Sequence, residues 1–154
     1  MAMATKSIPP TSADVSQRMA RTRGFDNPRE LALRSALHRL GLRFRIHHRA
    51  IPGTTRTIDV AFTRIRLAVF CDGCFWHGCP QHSTVPKTNT EWWRQKISTN
   101  TARDRDTDER LSATGWRVLR IWEHVPVEEG VAKIVEQIED LDVAFGQRLT
   151  PSIR

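Results

Sequence analysis

Twelve consecutive residues carry most of the reactive side chains of this sequence. The segment Cys71-Asp72-Gly73-Cys74-Phe75-Trp76-His77-Gly78-Cys79-Pro80-Gln81-His82 contains all three cysteines, two of the six histidines and one of the five tryptophans. Cys74, Cys79 and His82 offer three soft or borderline donors within nine residues. Such a loop can wrap a tetrahedral zinc ion with bonds of roughly 2.0–2.3 Å. A structural site needs a fourth ligand. His124 is the first candidate, because it follows a strand that could return beside the loop; Cys71 and His77 are its rivals. A zinc ion held by four protein ligands has no open position for a reacting water, so chemistry would fall to other residues.

The residues left for that chemistry are Asp59, Asp72, His77 and Glu30. A carboxylate on a strand, beside the end of a neighbouring strand, can hold Mg²⁺ over a phosphodiester, since Mg²⁺ takes oxygen ligands and keeps several waters. Asp59 would anchor the ion, and the backbone carbonyl of Cys71 could be a second ligand. His77 could take or deliver a proton near neutral pH.

The charge balance suits a phosphate partner. The chain has a formal net charge of +7, and its first 66 residues hold thirteen Lys and Arg against four Asp and Glu. Arg greatly outnumbers Lys there, and guanidinium forks match phosphate oxygens. Three clustered cysteines, an odd number, favour a metal site in a reducing cytoplasm over a disulfide framework. No run of about 18 apolar residues suggests a membrane span, and the first 17 residues lack the apolar segment of a secretory signal.

The elements that must position these groups follow from patterning. Residues 1–17 read as a flexible tail, and the basic run from Arg18 to Arg23 as a short helix or an arm for a phosphate backbone. Residues 18–154 read as a single domain. Asn27-Pro28-Arg29-Glu30 starts a helix with Leu33, Leu37 and Leu40 on one stripe, closed by Gly41. Glu30 either caps that helix or points inward at a site. Leu42, Phe44 and Ile46 alternate with basic residues as a first strand. Thr57–Phe62 is a second strand, with Ile58, Val60 and Phe62 on one face and Asp59 on the other. Arg66–Cys71 is a nearly continuous apolar, hence central, third strand. A long helix from Glu91 to Ala113 is capped by Asn89 or Thr90; its run Arg103–Arg110 reads as a solvated charged face. Trp116–Trp122 is a fourth strand, and an amphipathic helix begins at Pro126. The order α-β-β-β-α-β-α predicts an α/β fold, a mixed β-sheet flanked by helices.

Asp59, then Cys71-Asp72-Gly73-Cys74-Phe75-Trp76-His77, then Pro86-Lys87-Thr88-Asn89-Thr90-Glu91-Trp92-Trp93, then Gly115-Trp116-Arg117-Val118-Leu119 and Ile121-Trp122-Glu123 follow one another in order. Together with Pro28–Leu33 and Gly41–Arg45, this series resembles the very-short-patch-repair (Vsr) mismatch endonucleases from about Arg18 to about His124. The resemblance implies a restriction-endonuclease-like core with a structural zinc. It also implies Mg²⁺-dependent hydrolysis of one DNA strand, 5′ to the thymine of T:G mismatches left by 5-methylcytosine deamination. Carried over by position, Asp59 is the Mg²⁺ ligand, His77 the catalytic histidine, Asp72 a second polar residue of the site and Glu30 an accessory acid. Cys74, Cys79, His82 and His124 take the zinc positions. Phe75, Trp76 and Trp93 match aromatics that wedge into the base stack; otherwise Phe75 and Trp76 would be a core plug under the loop. Some family members carry His where this chain has Asp72. The partner so implied is double-stranded DNA with a T:G mismatch, met by a monomer in the bacterial cytoplasm, with mismatch-repair proteins as possible associates. A Vsr-like restriction or defence nuclease without mismatch preference, and a zinc-stapled DNA-binding module without activity, are the competing readings.

Overall fold

The computed structural model describes residues 27–82 and 84–145. The expected N-terminal tail and the basic run Arg18–Arg23 lie outside the described residues. The first helix, α1 (Pro28–Arg39), starts as its sequence dictates. Asn27 Oδ1 accepts from the Arg29 and Glu30 amides at 3.1 and 3.0 Å, and Pro28 occupies a first-turn position whose missing N–H costs nothing. The chain leaves the helix through Gly41 at φ 76, a left-handed conformation that glycine adopts without penalty.

Strands β1 (Arg45–His48), β2 (Ile58–Phe62) and β3 (Leu67–Asp72) form an antiparallel meander, and β4 (Arg117–Trp122) adds in parallel to β3. The sheet order is β1-β2-β3-β4. The parallel step requires a crossover, supplied by α2 (Thr90–Ala113). The last element, α3 (Val127–Phe145), packs with α1 on one face. That face buries Leu33, Leu37, Val60, Phe62, Leu67, Val69, Ile134 and Ile138. The opposite face buries Ile58, Ala61, Ala68, Phe70 and Leu111 beneath α2. The mixed α/β architecture and the element order are as expected. No helix among the described residues is long and apolar enough to cross a membrane.

Two local expectations are corrected. Asn89 adopts a left-handed conformation (φ 54) and its side chain makes no capping bond. A capping side chain needs extended backbone at that position, so the helix start is tied differently: Thr90 Oγ1 donates to the Pro86 and Lys87 carbonyls at 2.9 and 3.0 Å. The strict alternation predicted for β2 also breaks at Asp59. Ile58 packs with Ala61 on the α2 face, whereas Val60 and Phe62 face α1 and α3. Backbone pairing with β3 runs from Phe62↔Leu67 to Val60↔Val69. At the next step the Asp59 side chain takes the Cys71 N–H, at 2.9 Å, in place of a backbone carbonyl. β2 and β3 therefore part at this end of the sheet, and the opening admits a carboxylate.

Candidate active site and metal centres

The loop after β3 is placed by the β3–β4 ladder. Pairs run in register from Leu67↔Arg117 to Asp72↔Trp122, and the Glu123 amide extends the ladder to the Asp72 carbonyl at 2.9 Å. The same offset sets Cys74 opposite His124, with Sγ to Nδ1 at 3.2 Å. Inside the loop, the His77 amide donates to the Gly73 carbonyl and the Cys79 amide to the Cys74 carbonyl, at 3.1 and 3.0 Å. The loop then presses against α2. Gly78 has φ 66, and a Cβ there would lie 3.1 Å from Ile97 Cγ2. Asn100 Nδ2 on α2 donates to the Trp76 carbonyl at 3.1 Å.

Cys74, Cys79, His82 and His124 converge, with one donor atom from each lying within 4.8 Å of the others. Cys79 Sγ is 3.6 Å from His124 Nδ1 and 3.9 Å from His82 Nδ1. A tetrahedral zinc ion with sulfur and nitrogen ligands sets its donors roughly 3.3–3.8 Å apart, so this quartet fits such an ion. Both thiols are buried, both imidazoles reach the surface, and Cys71 and His77 belong to other clusters.

The second cluster is Glu30, Asp59 and Cys71. Helix α1 buries Glu30 on its inward stripe, 8% exposed, where Arg34 Nη2 meets Oε2 at 3.3 Å. Glu30 therefore points at the site, and the Asn27 side chain does the capping. Burial first, then the Glu30 and Asp72 carboxylates, raise Asp59 to about 6, against the lowering effect of the Cys71 N–H. Burial, then the Asp59, Glu30 and Asp72 carboxylates, push the Cys71 thiol up to about 12, so it stays neutral at physiological pH. A carboxylate whose ionisation burial resists, with a second carboxylate beside it, makes a place that a divalent cation would relieve. The donor set is oxygen-rich enough for Mg²⁺, with waters completing its shell.

The third cluster holds Asp72, His77 and Asp104. Asp72 is 3% exposed and lies 3.9 Å from His77 Nδ1. Asp104 on α2 meets the same nitrogen at 2.5 Å. Burial works against a charged imidazole, but the hydrogen bond to Asp104 and the field of Asp72 outweigh it and hold His77 above its usual range. Burial raises Asp72, opposed by His77 and Arg120. With Nδ1 engaged by a carboxylate, Nε2 is the ring nitrogen left to face a substrate.

Phe75, Trp76 and Trp93 form a connected aromatic group. Ring centroids are 5.3 Å apart for Phe75–Trp76, 5.2 Å for Phe75–Trp93 and 5.8 Å for Trp76–Trp93, mostly in edge-on arrangements. Trp93 is 7% exposed beneath the other two, while Trp92 leans on it edge-on and reaches solvent at 37%.

All the site residues read from the sequence thus gather where β2 and β3 diverge and β3 and β4 end. Two others were missed, Asp104 and Arg120. Asp104 lies in the run read as a solvated face, yet α2 carries Trp93, Ile97, Asn100, Asp104, Thr107 and Leu111 at alternating spacings of four and three, the pattern of one inward stripe. That spacing could have found it.

Comparison with known proteins follows the same lines. The family model for the DNA mismatch endonuclease Vsr matches residues 10–83. The type II nicking enzyme V.NaeI of Lentzea aerocolonigenes is 41% identical over 138 residues, covering 88% of this chain and 83% of that protein. The type II nicking enzyme V.XorIIP of Xanthomonas oryzae pv. oryzae is 41% identical over 107 residues, 68% of this chain and 76% of that protein. The DNA mismatch endonuclease Vsr of Escherichia coli is 37% identical over 121 residues, 72% of this chain and 74% of that protein.

Proposed function

Since the chain belongs to the Vsr family of DNA mismatch endonucleases and is a DNA-cleaving hydrolase, we propose that it nicks one strand of duplex DNA 5′ to the thymine of a T:G mismatch, using Mg²⁺. The observation that carries this reading is the meeting of Glu30–Asp59, the His77–Asp104 pair and the Phe75–Trp76–Trp93 group at one end of the sheet. A metal-holding carboxylate pair, a proton-moving group and a base-stacking wedge are the parts that such a cleavage needs.

In this mechanism Asp59 and Glu30, with the Cys71 carbonyl, would hold the ion. Bound there, Mg²⁺ supplies charge stabilisation for the phosphate and acidifies the attacking water. His77, fixed on Nδ1 by Asp104, moves a proton at the scissile phosphate through Nε2. Asp72, 3.9 Å from the same Nδ1, adds its charge to that of Asp104 in holding the imidazole. Cys74, Cys79, His82 and His124 would hold zinc as a structural staple. Phe75 and Trp76 enter the base stack, backed by the buried Trp93, as a restriction-endonuclease-like domain spanning residues 18–154 binds as a monomer. A T:G pair costs less to unstack than a Watson–Crick pair, so the same wedge selects the mismatch.

A second reading is favoured by the names of two relatives, both type II nicking enzymes: a nicking nuclease of a restriction or defence system with little mismatch preference. Cleavage of matched T:A and mismatched T:G duplexes of one flanking sequence, with the nick mapped on each strand, separates the two. Preferential nicking 5′ to the mismatched thymine is expected. Equal cleavage of both duplexes would leave the second reading standing.

A further inference from the structure

Arg120 reaches from β4 into the carboxylates that flank His77. Nη1 donates to both Asp72 oxygens at 3.0 Å. Nε meets the two Asp108 oxygens at 3.1 Å, and Nη2 meets Asp108 Oδ1 at 2.6 Å. Nη2 also donates to the Asp104 backbone carbonyl at 3.2 Å, and Nη1 lies 3.7 Å from the Asp104 carboxylate. The flat face of the guanidinium rests 4.5 Å from the centroid of the Phe70 ring.

This placement follows from the fold. In the β3–β4 register Phe70 pairs with Arg120 and Asp72 with Trp122, so Arg120 lies beside the strand positions that face α2. Asp104 and Asp108 sit one turn apart on α2 above it. One side chain therefore ties β3, β4 and α2 together, and two of its partners, Asp72 and Asp104, are the carboxylates nearest His77 Nδ1. Without a cation between them, the buried Asp72 and the half-buried Asp104 would repel one another beside the imidazole. By spacing alone, Asp72, His77 and Asp104 could hold a metal ion, but the guanidinium already fills the cation position in front of Asp72.

We propose that Arg120 is a positioning residue for strand cleavage: it locks Asp72 and Asp104, and through them sets the His77 imidazole against the scissile phosphate. A rigid fork suits the task, because it fixes carboxylate direction as well as distance. This inference rests on His77 acting at the phosphate.

The test is single-turnover nicking of a T:G duplex by the zinc-loaded protein, with duplex affinity measured in parallel. Arg120→Gln should slow the cleavage step about 10- to 100-fold, the scale of a misplaced group, while affinity changes by less than about twofold. Arg120→Lys should recover part of the rate. In the pair Asp72→Asn with Arg120→Gln, neutral amides replace the cation and its most buried partner, and the acids left, Asp104 and Asp108, reach solvent. If Arg120 works through Asp72, this double variant is no slower than the slower single one. Wild-type cleavage by folded Arg120→Gln, or a loss confined to affinity, would overturn the proposal. So would fully additive losses in the double variant. His77→Ala in the same assay separates the two levels: if it is slow and Arg120→Gln is not, only the positioning role fails, whereas if it nicks at the wild-type rate both fail.

Discussion

Replacing Asp59 by Asn should stabilise the fold at neutral pH, in buffer without magnesium, while abolishing cleavage. The Asp59 side chain is held at about 6 against an ordinary 3.8, chiefly by burial and secondarily by Glu30 and Asp72. At about 1.4 kcal/mol per pH unit this corresponds to about 3 kcal/mol. Partial solvent access screens the effect, so a gain of about 1–3 kcal/mol is expected. The sign follows from proton counting. Below pH 3.8 both folded and unfolded chains hold the proton, and Asp59 costs nothing. Between 3.8 and about 6 the unfolded chain has released it and the fold has not, so wild-type stability falls as pH rises. Above about 6 the full cost is present. Urea unfolding followed by tryptophan fluorescence, repeated across this range, should show wild type and Asp59→Asn converging at acid pH and separating towards neutrality with equal slopes in urea. Magnesium should then raise the wild-type midpoint and leave the variant unmoved. A variant that is equally or less stable at neutral pH would refute the reasoning, because Asp59 would then not be a crowded, ionised carboxylate awaiting a cation.

Other outcomes follow from the same geometry. Cys79→Ser and His124→Ala should each lose zinc, measured by metal analysis of the purified protein, and lower Tm by about 2–4 °C per kcal/mol for a chain of this size. Trp76→Ala should weaken binding of a T:G duplex by about 1–3 kcal/mol, the worth of one stacked base, with a smaller effect on a matched duplex in a fluorescence titration. Glu30→Gln removes one of the carboxylates that raise Asp59, so the Asp59 side chain should titrate lower when followed by NMR in magnesium-free buffer.

Much of this arrangement was legible in the sequence because local chemistry and tertiary need agree there. Asn27-Pro28 announces α1, and the apolar run of β3 announces a central strand. The Cys74–Cys79–His82–His124 quartet could be assembled because Cys74, Cys79 and His82 are neighbours and His124 follows the strand that pairs beside them. The divergence of β2 from β3 was not legible. It depends on a side chain, Asp59, replacing a backbone acceptor, and no periodicity reports that. Asp104 was hidden by its charged neighbours, since a carboxylate amid Arg103, Arg105 and Asp106 looks solvated until the inward stripe of α2 is traced from Trp93 to Leu111. Arg120 was hidden differently: on β4 it alternates as a surface residue should, and only the packing of α2 above it shows three acids waiting for its fork.

The most direct test of the whole account is the magnesium-dependent nicking rate of a T:G duplex for wild type and for Asp59→Ala, with zinc content and duplex affinity measured on the same samples. The account predicts that Asp59→Ala keeps its zinc and its affinity for DNA but loses cleavage by at least about a thousandfold, the scale of losing a main electrostatic contribution to catalysis. Cleavage by Asp59→Ala at a rate near wild type would contradict it, and would move the catalytic centre away from the opening between β2 and β3.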